Sequence, residues 1–311
     1  MPAPARSPRA GREPAAGAGR QGRHYSFPVV NGQALAAVAP ALRCPVCAGP
    51  VLVAGGRVSC GHGHSFDIAR QGYVTLAAGG RAGPGTGDSA AMVLAREAFL
   101  GGGHYQPLAD AVAGLAQGPG DEIPGLVVDL AGGTGYYLAR VLDARPGRLG
   151  VCVDLSPAAL RRAARAHPRA AAVGADAWQR LPFADGTAAL VLSIFGPRNA
   201  GETRRVLAPG GTLVIAAPGP DHHRELRESL GLIGIDEQKA ERLAQSHRGF
   251  SGGGRTPLRY QLRLGHADLT SLVAMGPSAR HITADTLAAR VAALPEPVTV
   301  TVDLEIRSYQ A

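Results

Sequence analysis

The stretch VVDLAGGTGYY, residues 127–137, joins a β-branched apolar run to an acid, a glycine-rich turn and the start of a helix. Glycines let backbone approach a ligand closely and leave amide groups pointing at it. A dinucleotide fingerprint G-x-G-x-x-G would need glycines at 131, 133 and 136. The chain has Ala131, Gly133 and Tyr136 there, and its glycines fall at 132, 133 and 135, a short step after Asp129. Asp154 lies 154 − 135 = 19 residues beyond Gly135, about where an acid that holds a ribose is expected.

Around this turn, strands and helices alternate. Buried strands are expected at 126–131, 148–156, 170–176, 188–195 and 212–219, with helices between them. Pro157 sits in the first turn of one helix. Residues 255–265 and 297–310 alternate apolar and polar and are expected to pair antiparallel at the sheet edge. Helices are also expected at 221–234, 236–246, 88–103 and 105–118, the one at 88–103 opening on an Asp N-cap and stopping at glycines. The pattern is α/β with a mostly parallel sheet.

Upstream, CPVCAGPVLVAGGRVSCGHGH (44–64) concentrates three of the four cysteines. The spacing is C-x2-C, twelve residues, then C-x3-H. Thiolate and imidazole suit zinc, which takes four tetrahedral ligands in structural sites. VLVAGGRVSC reads as a hairpin turning at Gly55-Gly56, which returns Cys60 and His64 to Cys44 and Cys47. Four protein ligands leave no position for a reactive water, so the ion is expected to be structural and to supply folding energy. His62 competes with His64 for the fourth place, and free thiols or a redox C-x2-C pair are the plainer reading. Cys152, inside a strand, is expected to be a small core residue.

The bulk numbers fit this plan. The chain has 311 residues, is 45% apolar and carries a net charge of +8. Four cysteines, three of them clustered, do not describe a disulfide scaffold. No run reaches the roughly 18 apolar residues of a membrane span, and the Arg-containing N-terminus lacks the apolar core of a secretory signal. A soluble cytoplasmic protein without a membrane partner is therefore expected. Basicity favours polyanions, although arginine-rich genomic bias gives the same number. The organisation expected is a disordered Arg/Pro/Ala-rich tail at 1–31, a zinc-binding domain at 32–78, a linker and helix at 79–104, and the larger domain at 105–311.

The D-x-x-x-G-x-G form of Asp129, Gly133 and Gly135 resembles the S-adenosylmethionine (AdoMet) site of Rossmann-like methyltransferases. Asp129 and backbone groups suit the amino-acid end of that cofactor, Asp154 the ribose, and Asp176 with Ala177 the adenine; the plainer reading is that Asp154 and Asp176 cap loops. Four stretches carry a closer likeness: CPVC…CGHGHSFDIARQGYVTL (44–76), GDSAAMVLAREAFLGGGHYQPL (87–108), DLAGGTGYY (129–137) and APGPDHH (217–223). With them the chain resembles the RlmA/TlrB family of 23S rRNA (guanine-N1)-methyltransferases over about 42–309.

The resemblance implies a Rossmann-like class I AdoMet-dependent methyltransferase with a small N-terminal zinc-binding domain, at 32–78, for RNA recognition. It implies zinc ligands Cys44, Cys47, Cys60 and His64, and places Tyr105, Tyr136, Tyr137, Leu138 and His222 around AdoMet. It implies a hairpin loop of 23S rRNA as substrate and, for some members, protection against macrolides. Where the family has the first glycine of its turn, this chain has Ala131; the site should survive unless that position requires positive φ. Guanine N1 carries a proton, so a base must accept it or the purine must bind as an oxyanion-like form held at O6. Asp221 and His222 are the candidate bases and Arg198 the candidate O6 or phosphate donor; a solvated loop charge is the plainer reading of Arg198. The target guanine must leave its pair to expose N1. Arg43, Arg57 and Arg70 are expected to meet phosphates, and a homodimer is expected to embrace a two-stem target. The rival readings are a small-molecule methyltransferase of antibiotic biosynthesis with a structural zinc, and a decayed, non-catalytic RNA binder.

Overall fold

The computed structural model describes residues 33–77, 87–116, 122–232 and 250–311. The expected tail at 1–31, most of the linker at 79–87 and the helical stretch at 236–246 lie outside the described residues.

The expected parallel strands form the middle of one sheet: β5 (Leu126–Leu130), β6 (Gly150–Asp154), β7 (Ala170–Gly174), β8 (Ala188–Ile194) and β9 (Leu207–Pro218). The chain then adds β10 (Ser251–Leu264) and β11 (Val298–Gln310), an antiparallel pair on the β9 side. The order is β10-β11-β9-β8-β5-β6-β7-β4. β5 and β7 are buried along their whole length, which follows from helices and ribbon covering both faces of a parallel sheet.

The eighth strand, β4 (Tyr73–Thr75), comes from the N-terminal module and runs parallel to β7. Three residues are too few to show a strand period, so this join is invisible in sequence. The module's own sheet is β1 (Val51–Ala54), β2 (Arg57–Cys60) and β3 (Ser65–Asp67). Gly55 and Gly56 have φ of 56° and 74°, the left-handed pair that a two-residue hairpin turn requires. α1 (Gln33–Val38) and the ribbon bury Leu35, Leu42, Val51 and Val58 with Val128, Val151 and Val173 on one face of the sheet.

The other face is helical. α2 (Ala90–Gly101), α3 (Gln106–Leu115), α4 (Tyr136–Ala144) and α5 (Pro157–Ala166) pack there or at its margin, with α7 (Arg224–Leu230) beside β11. α6 (Ala200–Val206) precedes β9. α2 is capped by Ser89, whose hydroxyl accepts from Met92 N, so the cap lies one residue after the expected Asp88. Two helices between β10 and β11 go beyond the sequence reading: α8 (His266–Ala274) and α9 (Ala284–Ala292). Both bury leucines in the same core, and α8 packs across α2.

Candidate metal centre and cofactor cavity

The metal cluster is built by two tight turns. Cys44 N–H donates to Gly49 O at 2.9 Å, and Ala48, with φ of 57°, turns the chain between them. At the far end of the hairpin, Cys60 N–H donates to His64 O at 3.0 Å. The ligand atoms of Cys44, Cys47, Cys60 and His64 all lie within 4.8 Å of one another. Cys47 Sγ is 3.6 Å from Cys60 Sγ, and His64 Nδ1 is 3.4 Å from Cys60 Sγ. Ligands at about 2.0–2.3 Å from a tetrahedral zinc stand about 3.5–3.8 Å apart, so these residues fit the ion. His62 is exposed and outside the cluster. Cys152 is buried in the helical-side core.

Of the nearby arginines, Arg43 donates to Pro40 O and Leu42 O and so braces the turn before the cluster. Arg57 pairs with Asp67 across an exposed surface.

At the C-terminal ends of β5 to β9 lies a cavity of about 910 Å³. Of the residues expected around a cofactor, Tyr105, Gly133, Tyr137, Asp154, Asp176 and His222 line it. Asp129, Gly135, Tyr136 and Leu138 do not. Gly135 abuts Ala163 and Ala166 of α5, Tyr136 borders a separate groove among α2 to α5, and Leu138 is fully buried in the core.

Asp129 ends β5 beneath the glycine turn and is only 1% exposed. Neither carboxyl oxygen has a well-formed hydrogen bond among the described residues, the Leu138 backbone N–H contributing only a weak one. Burial, helped by the neighbouring Asp154 carboxylate and opposed by the Leu138 backbone N–H, pushes its carboxyl up to about 8. A Cβ on Gly132 would stand 2.7 Å from Asp129 Oδ2 and from Cys152 Sγ, so the chain needs glycine where it passes over the acid. Ala131 has φ of 52°. The condition set on this residue is therefore met: the position does require the left-handed region, and alanine occupies it with strain.

Asp154 accepts from Gly133 N at 2.9 Å and from Ser156 N at 2.8 Å. Asp176 accepts from Trp178 N. Both acids brace their loops, as the plainer reading expected, and both line the cavity. Burial raises the Asp154 carboxyl against the pull of its two backbone donors.

On the β9 side, the Tyr105 hydroxyl is 3.1 Å from His223 Nε2 and 3.4 Å from His222 Nε2. The two imidazoles stack at 3.7 Å. His222 Nδ1 accepts from Asp303 N at 3.3 Å, which assigns its proton to Nε2 and points that N–H at the Tyr105 oxygen. Enclosure lowers His222 to about 2 and His223 to about 4, with the charge of Arg227 adding to both. Both rings are neutral at pH 7. Asp221 lies outside the cavity lining, 2.8 Å from Arg259 and 3.4 Å from Arg224, and the Arg259 contact holds its carboxyl below the usual range. Arg198 lines the cavity, and its buried Nε has no partner among the described residues.

Arg96, Met275, Phe195 and Trp178 belong to the site and were missed by sequence reasoning. Arg96 of α2 reaches Asp88 at 2.5 Å and Met275 O at 2.9 Å, and its side chain passes over Gly133. Met275, just beyond α8, lines the cavity with Phe195 and Trp178. Phe195 and His223 have φ of 57° and 54°, so three of the four non-glycine residues with positive φ among the described residues surround this one cavity. Strained backbone of this kind collects at functional sites.

A parallel sheet in this order, with a glycine turn over a buried acid and a second acid at the next strand's end, defines a class I AdoMet-dependent methyltransferase. The methyltransferase-domain family model matches residues 127–211, and the RlmA N-terminal zinc-ribbon model matches 42–77. The 23S rRNA (guanine(748)-N(1))-methyltransferase of Streptomyces fradiae is 48% identical over 82% of this chain and 91% of its own length. A Micromonospora griseorubida protein named for 23S rRNA guanine-N1 methylation is 48% identical over 87% of this chain and 97% of its own length. Bacillus subtilis YxjB, named for the same reaction, is 32% identical over 60% of this chain and 68% of its own. The chain belongs to the 23S rRNA (guanine-N1)-methyltransferase family.

Proposed function

We propose that this chain methylates N1 of a guanine in a hairpin loop of 23S rRNA, using AdoMet in the cavity and a structural zinc in the ribbon. The observation that carries the reading is the Asp129 carboxyl, buried without a well-formed hydrogen bond beneath a glycine turn whose Ala131 and Gly133 line a cavity wide enough for a cofactor and a base. Small-molecule sites usually occupy roughly 300–1,000 Å³, and this one stands near the top of that range. When bound, AdoMet supplies an electrophilic methyl group. Asp129 would meet its ammonium, Asp154 the ribose hydroxyls and Asp176 the adenine edge. Tyr105, Tyr137 and His222 would wall the amino-acid end. Gly135 and Leu138 would act by packing, and Tyr136 from outside the cavity.

The residues also favour one of the two routes for the N1 proton. His222 presents an N–H to Tyr105 and has no lone pair free toward the cavity. Asp221 is held as a carboxylate by arginines outside it. Arg198 is a half-buried cation whose buried Nε lacks an acceptor among the described residues. We assign Arg198 to guanine O6, where it stabilises the deprotonated purine, and the proton leaves to water. Alignment of nucleophile and methyl at roughly 3–3.5 Å supplies much of the remaining acceleration. The exposed ribbon and its arginines would hold the rRNA, in the cytoplasm. A homodimer whose clefts face the two stems beside one loop belongs to the same reading; sedimentation with and without RNA checks it.

The test uses 23S rRNA from a strain lacking such an enzyme, labelled AdoMet, and nucleoside analysis of the product. The expected product is 1-methylguanosine. Label in another nucleoside, or none, contradicts the reading. Macrolide resistance in a sensitive host carrying the gene is the expected cellular result for a resistance member of the family. The relatives matched along almost their full length disfavour the small-molecule alternative.

A further inference from the structure

Trp178 is the chain's single tryptophan. It stands on the cavity rim with 63% of its surface in water. A ring this large is ordinarily well buried, and this chain has few aromatics to spare. Its backbone is held firmly: Trp178 N–H donates to Asp176 Oδ1 at 2.9 Å, and its carbonyl accepts from Asn199 Nδ2 at 3.0 Å. Three residues on, Leu181 N–H donates to Glu202 Oε2 of α6 at 2.8 Å. The loop is thus tied to the start of α6, and the exposed ring is carried on a fixed support.

The neighbouring residue, Ala177, is buried and lines the cavity, so the inward position beside Asp176 is already filled by a small side chain. Pro197 and Arg198, from the loop that Asn199 ties to Trp178, share the rim. An exposed indole on a fixed backbone, at the rim of a cavity that a cation also lines, is the arrangement that stacks unpaired nucleobases without reading their edges.

We propose that Trp178 forms a second base subsite, on which an unpaired nucleobase flanking the target guanine stacks while the guanine enters the cavity. This rests on the RNA reading above and deepens it. The substrate class it selects is a loop with unpaired neighbours, as opposed to a duplex.

Because Trp178 is the sole indole, its fluorescence reports the subsite directly. The full-length, zinc-loaded protein is titrated with three probes: a 23S hairpin carrying the target loop, a fully paired duplex of equal length, and S-adenosylhomocysteine. The hairpin is expected to quench the emission saturably and to protect it from acrylamide, while the duplex and S-adenosylhomocysteine leave it unchanged. Trp178→Ala should raise KM for the hairpin about tenfold or more, and Trp178→Phe should restore most of the affinity, the range that base–aromatic stacking supplies. Quenching by S-adenosylhomocysteine alone would assign the ring to the cofactor and overturn the proposal. So would an unchanged KM for Trp178→Ala, or hairpin methylation with unaltered emission. Those results leave the methyltransferase reading intact. Quenching by the hairpin without any methylation would retain the subsite and reject that reading.

Discussion

Ala131 and Asp129 show how single residues set the terms of this site. An L-residue in the left-handed region is strained by about 1–2 kcal/mol, and Ala131 sits there at φ of 52°. Ala131→Gly relieves the strain but frees the unfolded chain, so a net stabilisation of about 0.5–1 kcal/mol is expected in urea unfolding, with AdoMet affinity retained. Asp129 has the opposite character. The folded protein keeps a proton that the unfolded chain releases above about pH 4. The carboxyl's contribution to stability is therefore complete below pH 4 and is lost as pH rises through about 8. An ammonium brought to this carboxyl drives the proton off. Binding of AdoMet at pH 7 should release close to one proton, seen as a binding enthalpy that changes with buffer. Asp129→Asn should abolish that release and weaken AdoMet at least tenfold, while unfolding no more easily than the parent. The sequence placed Asp129 before the turn through its spacing. It could not show that Ala131 is left-handed or that Arg96 lies over Gly133, because neither follows from a local pattern.

Strands with a strong period were legible as elements, and the joins between them were not. β5 to β8 stood out as continuous apolar runs, and β10 with β11 as alternating ones. β4 is three residues long, and its pairing with β7 joins positions 172 − 73 = 99 apart in the chain (Tyr73 with Ala172); no local signal encodes that. α8 and α9 carry ordinary signals, including the Thr283 cap on Thr286 N, and went unread between two conspicuous strands. The consequence for the zinc hairpin is physical. Its Leu42, Val51 and Val58 share a core with Val151 and Val173, so the ion's folding energy reaches the main sheet. One zinc per chain is expected by atomic absorption. Chelation should lower Tm by about 5–10 °C, the shift that a few kcal/mol produces in a domain of this size, and should weaken hairpin binding. A chelated protein with unchanged Tm would detach the ribbon from the sheet's stability.

Over the whole molecule, a net charge of +8 goes with a ribbon stitched to the edge of the main sheet and a deep cavity at the ends of its strands. No helix among the described residues is long and apolar enough to cross a membrane. If four or five phosphates are held, the logarithm of hairpin affinity should fall with the logarithm of salt with a slope of about −3. A slope near zero fits a small, uncharged substrate instead. The account's central claim is that the cavity receives a loop guanine of 23S rRNA and that its N1 is the atom methylated. A methyl at N1 blocks Watson–Crick pairing, so primer extension on 23S rRNA treated with the protein and AdoMet reads the claim directly. The account predicts a strong AdoMet-dependent stop next to a single hairpin-loop guanine, absent with Asp129→Asn. Full-length extension through every loop, with label transferred elsewhere, would contradict it.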